Sequence, residues 1–119
     1  MKLSEMQRRF PLLVAELIRQ AYADGYELSF GEAFRTEDQQ RLYVRSGKSR
    51  TMSSPHMDRL AVDFNLFKDG RYLTDGSLYR PLGEKWEALG GSWGGRFGVQ
   101  PQDYAKKTGW DANHFEYRE

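Results

Sequence analysis

The stretch SPHMDRLAVDFNLFKDGR, residues 54–71, decides how the rest of the chain is read. LAVDFNLF, residues 60–67, mixes apolar and β-favouring residues as a strand does, and the Asp-Gly pair at 69–70 is a hairpin signal that makes Tyr72-Leu73 the return strand. Asp63 lies inside that strand, where aspartate is depleted. His56 stands where a loop gives way to the strand, so a bend between the two is needed before both can point at one ion. The segment before it, SGKSRTMSSP at 46–55, is small and polar and reads as a loop.

Working outward, HFEYR at 114–118 reads as a closing strand, which lets His114 face the strand that carries Asp63. Toward the N-terminus, Ser4 with Gln7 reads as a capping box, and Met6, Phe10, Leu13, Val14, Leu17, Ile18 and Ala21 recur at helical spacing, predicting a helix to about Ala23. Asp24-Gly25 ends it, and YELSF forms a strand with Tyr26, Leu28 and Phe30 on one face. Thr36 with Gln39 makes a second capping box, with Leu42 and Tyr43 as the apolar edge of a helix that stops before Gly47. Arg35 therefore falls at a strand-to-helix junction. Pro81, Leu82, Trp86 and Leu89, followed by Gly90-Gly91, describe a third short helix, and the turn-rich stretch 92–110 reads as irregular. The expected fold is α+β: a single domain over 1–119, with a small antiparallel sheet and helices packed on it.

Composition narrows the function. Eighteen Lys plus Arg against seventeen Asp plus Glu, interspersed, give a net charge of +1 and no basic stripe, which argues against a nucleic-acid partner. With no cysteine, a transition-metal site has to be built from histidine and carboxylates. The first residues, MKLSEMQRRF, show no secretory signal, and no apolar run approaches the roughly 20 residues that cross a bilayer. The expectation is a monomer made in the cytoplasm, with no stable membrane association.

The chain has only two histidines, His56 and His114, with Asp63 seven residues after the first and Asp111 three before the second. Catalytic zinc takes three protein ligands and leaves a fourth position for water, a count that two His and one Asp meet. Asp111 is then a spare carboxylate able to serve as a base. Against this stand plain readings: ordinary surface or core histidines, a water-exposed Asp63, an Asx-turn at Asp111, a solvated Arg35 and a loop Ser54. The aromatic residues Trp86, Trp93, Trp110, Phe97 and Tyr104 read as core and cleft wall, with no site assigned to them.

The string SPHMDRLAVDF, with Ser54, His56, Ala61 and Asp63, resembles the signature of the M15-type zinc D,D-peptidases and L-alanyl-D-glutamate endopeptidases. WDANHFEY, with Asp111, His114 and Phe115, is similar to that family's second half, and GEAFRTEDQQ, with Arg35, to its upstream arginine segment. The resemblance implies a Hedgehog/DD-peptidase-like fold, a Zn2+ cofactor held by His56, Asp63 and His114, and Asp111 as general base. It implies that Arg35 stabilises an oxyanion or a substrate carboxylate and that Ser54 is a substrate-side hydrogen-bond partner. The implied activity is zinc-dependent peptidoglycan hydrolysis at a stem-peptide amide. An L-alanyl-D-glutamate endopeptidase of the phage lysin type is favoured; it would act on the wall after release through the membrane. The alternatives are a D-alanyl-D-alanine carboxypeptidase and a zinc-stabilised wall-binding module without turnover. One departure stands out: Arg59 occupies a position that is glycine in many members.

Overall fold

The computed structural model describes residues 1–118. Helix α1 (Leu3–Ala23) turns Phe10, Val14, Leu17 and Ala21 into the core, the stripe that the spacing predicts. Its start departs from expectation. Lys2 is the N-cap, Ser4 lies within the first turn, and no side chain caps it. Gln7 is occupied elsewhere: its amide donates to the Asp58 carbonyl at 2.8 Å, so a tertiary bond to the loop after His56 has displaced the local capping box.

Strand β1 (Tyr26–Phe30) puts Tyr26 and Leu28 against the core, while Phe30, on the same pleat, is 66% exposed and only leans on Phe64 at the rim. Helix α2 (Glu37–Arg45) is capped as expected by Thr36, whose hydroxyl accepts from the Gln39 N–H. Its inward residue, however, is polar. Gln40 is fully buried and Leu42 exposed, because α2 packs on the 49–54 loop through hydrogen bonds rather than on the apolar core.

Strand β2 (Ala61–Lys68) is the centre of an all-antiparallel sheet. On one edge β1 pairs from Tyr26↔Lys68 to Phe30↔Phe64. The other edge is shared. Strand β3 (Arg71–Leu73) returns through Asp69-Gly70, both at positive φ as a tight hairpin turn requires, and pairs with the end of β2. Its beginning pairs with β5 (His114–Glu116), in the register Ala61↔Glu116 and Asp63↔His114.

Helix α3 (Arg80–Ala88) carries Pro81 in its first turn and buries Leu82, Gly83 and Trp86. The stretch expected to be irregular contains β4 (Ser92–Trp93), which flanks β5, and two short 3₁₀ turns. Trp86 and Trp93 are both essentially inaccessible, and their indole N–H groups donate to the Glu116 carbonyl at 2.9 Å and the Ala112 carbonyl at 2.6 Å. Two core residues thus hold the segment that brings His114 to β2. The result is the α+β arrangement expected from the sequence, with three helices on a small antiparallel sheet.

Helix α3 approaches β4 so closely at Gly83 that an added Cβ would lie 2.1 Å from Cδ2 of Trp93. Gly83→Ala is expected to destabilise the protein by about 1–3 kcal/mol, the usual cost of overpacking a filled core. Chemical denaturation measures it, and unchanged stability would show that Trp93 has room to yield.

Candidate metal centre

His56, Asp63 and His114 reach one point from three segments: the turn before β2, β2 itself and β5. His56 Nε2 lies 3.3 Å from Asp63 Oδ1, and His114 Nδ1 lies 3.3 Å from the same oxygen. An ion bound at about 2.0–2.1 Å by N and O donors in a tetrahedron has ligand atoms about 3.3 Å apart, so both separations fit. The imidazole rings stand 5.0 Å apart, inclined at 71°, and both are buried. Among the described residues, these three form the group able to hold a metal ion.

The backbone holds each donor in place. Asp63 pairs with His114 on one edge of β2; on the other edge its N–H donates to the Glu32 carbonyl and its C=O accepts from Gly31, each at 2.8 Å. His56 Nδ1 faces the Ala33 carbonyl at 3.3 Å, and His114 Nε2 faces Glu116 Oε1 at 2.8 Å. Each ring therefore has its inner nitrogen toward Asp63 and its outer nitrogen on an oxygen acceptor, the arrangement that orients metal-binding histidines. Asp111 sits one turn before β5, Oδ2 3.8 Å from His114 Nδ1, while its carbonyl accepts from the His114 N–H. Gly94 makes this turn possible: a Cβ there would fall 2.0 Å from the Asp111 carbonyl oxygen.

The electrostatics favour a cation. Burial works to raise the Asp63 carboxyl, but hydrogen bonds from His114 and His56, with their charges, hold it down at about 2. Burial works against a charged His114, yet Asp63 and Glu116 as acceptors, with the charges of Asp111 and Glu116, push it up to about 9. Asp111 is raised above the ordinary carboxylate range, chiefly by burial.

Around these residues lies a cleft of about 770 Å³, walled by the 47–55 loop on one side and by Phe97, Trp110 and Arg118 on the other. Arg35 and Ser54 both line it. Arg35 donates through Nε to Glu32 Oε1 at 2.5 Å and through Nη1 to Gln40 at 2.8 Å and Ser54 at 3.3 Å, with its guanidinium 4.6 Å from the centre of the Tyr43 ring. Ser54 Oγ also accepts from the His56 N–H, and its own hydroxyl hydrogen has no acceptor among the described residues. The sequence-predicted residues are therefore all brought to one cleft. Gln40, which stood in the matching GEAFRTEDQQ segment without a role, braces Arg35, and three others went unnoticed: Glu32 and Tyr43, which also brace it, and Glu116 behind His114. Of these three, Glu116 carried a signal, since its offset of two residues along a strand puts it on the His114 face.

Two imidazoles, each with a nitrogen 3.3 Å from one carboxylate oxygen and all three donor atoms within 4.8 Å of one another, on the floor of an open cleft, are the donor set of a metallopeptidase. A family model described as D-alanyl-D-alanine carboxypeptidase, Peptidase M15, matches residues 47–117, more than half of the chain. The chain belongs to the M15 peptidase family, whose metal is zinc. It is 36% identical over 84 residues to the L-alanyl-D-glutamate peptidase of Listeria phage A118, an alignment that takes in 67% of this chain but only 30% of that protein. Its fold matches the crystal structure of Serratia marcescens L-Ala D-Glu endopeptidase ChiX with a TM-score of 0.68 at 27% identity, over 97% of this chain and 85% of ChiX. VanYB in complex with D-alanine-D-alanine shares the fold at a TM-score of 0.60 and 23% identity, over 92% of this chain and 69% of that one.

Arg59 adopts φ +59°, the left-handed region in which glycine is unstrained, and its guanidinium stacks 4.2 Å from the centre of the Phe34 ring. The strain costs on the order of 1 kcal/mol and the exposed stack returns about 0.5–1 kcal/mol. Arg59→Ala, which keeps the strain and loses the stack, should therefore destabilise more than Arg59→Gly, which loses both. Thermal denaturation of the two variants checks the order.

Proposed function

We propose that this chain is a zinc-dependent peptidoglycan hydrolase that cuts the stem-peptide amide between L-alanine and D-glutamate, with residues 1–119 as one catalytic domain. The observation that carries this reading is the convergence of His56 Nε2, Asp63 Oδ1 and His114 Nδ1 beside the Asp111 carboxyl, at the floor of a cleft large enough for a peptide. The choice of bond is supported by the phage A118 peptidase and ChiX, both named for that specificity.

In this reading His56, Asp63 and His114 hold the metal. Bound there, zinc supplies Lewis acidity toward a carbonyl oxygen and lowers the pKa of water from about 15.7 to about 7. Asp111 takes a proton from the attacking water and passes it to the departing nitrogen, so that one C–O bond forms as the C–N bond breaks. Arg35 steadies negative charge on the substrate from a fixed position, because Glu32, Gln40 and Tyr43 leave its guanidinium little freedom. Ser54 has one hydroxyl hydrogen to offer the substrate.

Among the described residues no helix is long and apolar enough to cross a membrane. A lysin of this kind works from inside the host, reaching the wall once another protein has opened the membrane. The family model's own description favours a second reading, the D-alanyl-D-alanine carboxypeptidase.

Digestion of purified cell wall tests both. Newly exposed D-glutamate amino termini, abolished by a chelator and restored by zinc, are expected; free D-alanine as the product would move the assignment to the carboxypeptidase. Asp111→Ala should retain metal and lose about 10²–10⁴-fold in turnover. Zinc-loaded wild type that leaves wall intact would instead favour a binding module.

A further inference from the structure

We infer that Glu116 is a positioning residue that fixes His114 as an Nδ1 donor, an inference that rests on reading His56, Asp63 and His114 as the metal centre. Glu116 is 4% exposed, and its Oε1 accepts from His114 Nε2 at 2.8 Å. It stands on the far side of the ring from Asp63, which faces Nδ1 at 3.3 Å. A carboxylate buried to this degree needs compensating partners, and here one of them is the histidine itself. The carboxylate is well anchored. Arg118 pairs with its second oxygen, and its backbone carbonyl accepts from the Trp86 indole, so the acceptor is fixed before any ligand arrives.

The consequence is a choice of tautomer. An anionic acceptor at Nε2 keeps a ring proton there, so that a metal displaces the proton on Nδ1 and it is the Nδ1 lone pair that is directed at the point His56 and Asp63 also face. His56 is arranged differently: its outer nitrogen meets a neutral backbone carbonyl at 3.3 Å, and its inner donor is Nε2. The two histidines thus differ both in the nitrogen offered and in the charge of the group behind it. His114 gains electron density from a carboxylate in direct hydrogen-bond contact, whereas the carboxylate nearest the outer nitrogen of His56, Glu32, stands off at 4.0 Å and is engaged by Arg35, so removing Glu116 falls on His114.

The test compares wild type with Glu116→Gln and Glu116→Leu. Zinc dissociation constants are measured by competition with a chromogenic chelator, ring tautomers by 15N NMR, and the metal-free melting temperature of each variant is recorded. Glu116→Gln keeps an acceptor but loses the charge, and should weaken zinc binding about 10–100-fold with the Nε2–H tautomer retained. Glu116→Leu should weaken it further and mix the tautomers at His114. Should Glu116→Leu not fold, the Gln variant decides the matter through its affinity. Wild-type zinc affinity in Glu116→Gln would overturn the inference while leaving the metal centre standing, as would a loss of affinity fully matched by a fall in the metal-free melting temperature. A wild-type protein that does not hold zinc would overturn the centre and the inference together.

Discussion

The antiparallel pairing of β2 with β5, which sets Asp63 opposite His114 across 51 positions of sequence, is the constraint on which the rest of the site depends. A slip of β5 by one residue would turn His114 to the other face, away from Asp63, and disperse the cluster. The pairing is short, and it is secured from outside. The indoles of Trp86 and Trp93 hold β5 and the turn before it from the core side. From the opposite edge of β2, Gly31 and Glu32 bond the backbone of Asp63 itself. Asp63 is thereby fixed on both edges, and the site lies where β1 has given way to the loop that carries Arg35.

Charge around this point is arranged in two halves. Asp63, Asp111 and Glu116 surround His114, and Glu32 ties the Arg35 guanidinium beside His56. Buried carboxylates at such spacing repel one another and disfavour their own ionisation unless a cation is shared among them. Protonation of His114, pushed up to about 9, meets that need in the metal-free chain. A divalent ion meets it better, because it serves both histidines and Asp63 at once.

How much of this the sequence disclosed depended on the range of the interactions involved. The α1 stripe, the Asp-Gly hairpin and the Thr36 cap are local patterns with a definite period or turn chemistry, and all three appear where they were expected. Ser4 failed as a cap because Gln7 found a partner 51 residues away, a bond no local rule contains. Leu42 and Gln40 exchanged roles for a similar reason: a helix that packs on a polar loop inverts the usual sense of its faces. The clustering of His56, Asp63, Asp111, His114, Arg35 and Ser54 was legible through matching motif blocks, since spacing alone left plain readings open. Glu32 and Tyr43 had no such signal, because their positions become meaningful only once Arg35 is seen to need bracing.

The 47–55 loop has a consequence for how such an enzyme can diversify. It forms one wall of the cleft, yet contributes no strand to the sheet, and it is tied down by residues outside itself: Gln40 reaches Ser49 and the Thr51 carbonyl, and Arg35 reaches Ser54. Lys48, Arg50 and Ser53 can therefore be exchanged without disturbing the register of β2 and β5 or the core tryptophans. The floor that carries His56, Asp63 and His114 and the facing wall of the cleft are in this sense separately heritable. A few loop positions can be substituted to reshape that wall of the cleft while the strands that carry Asp63 and His114 stay as they are.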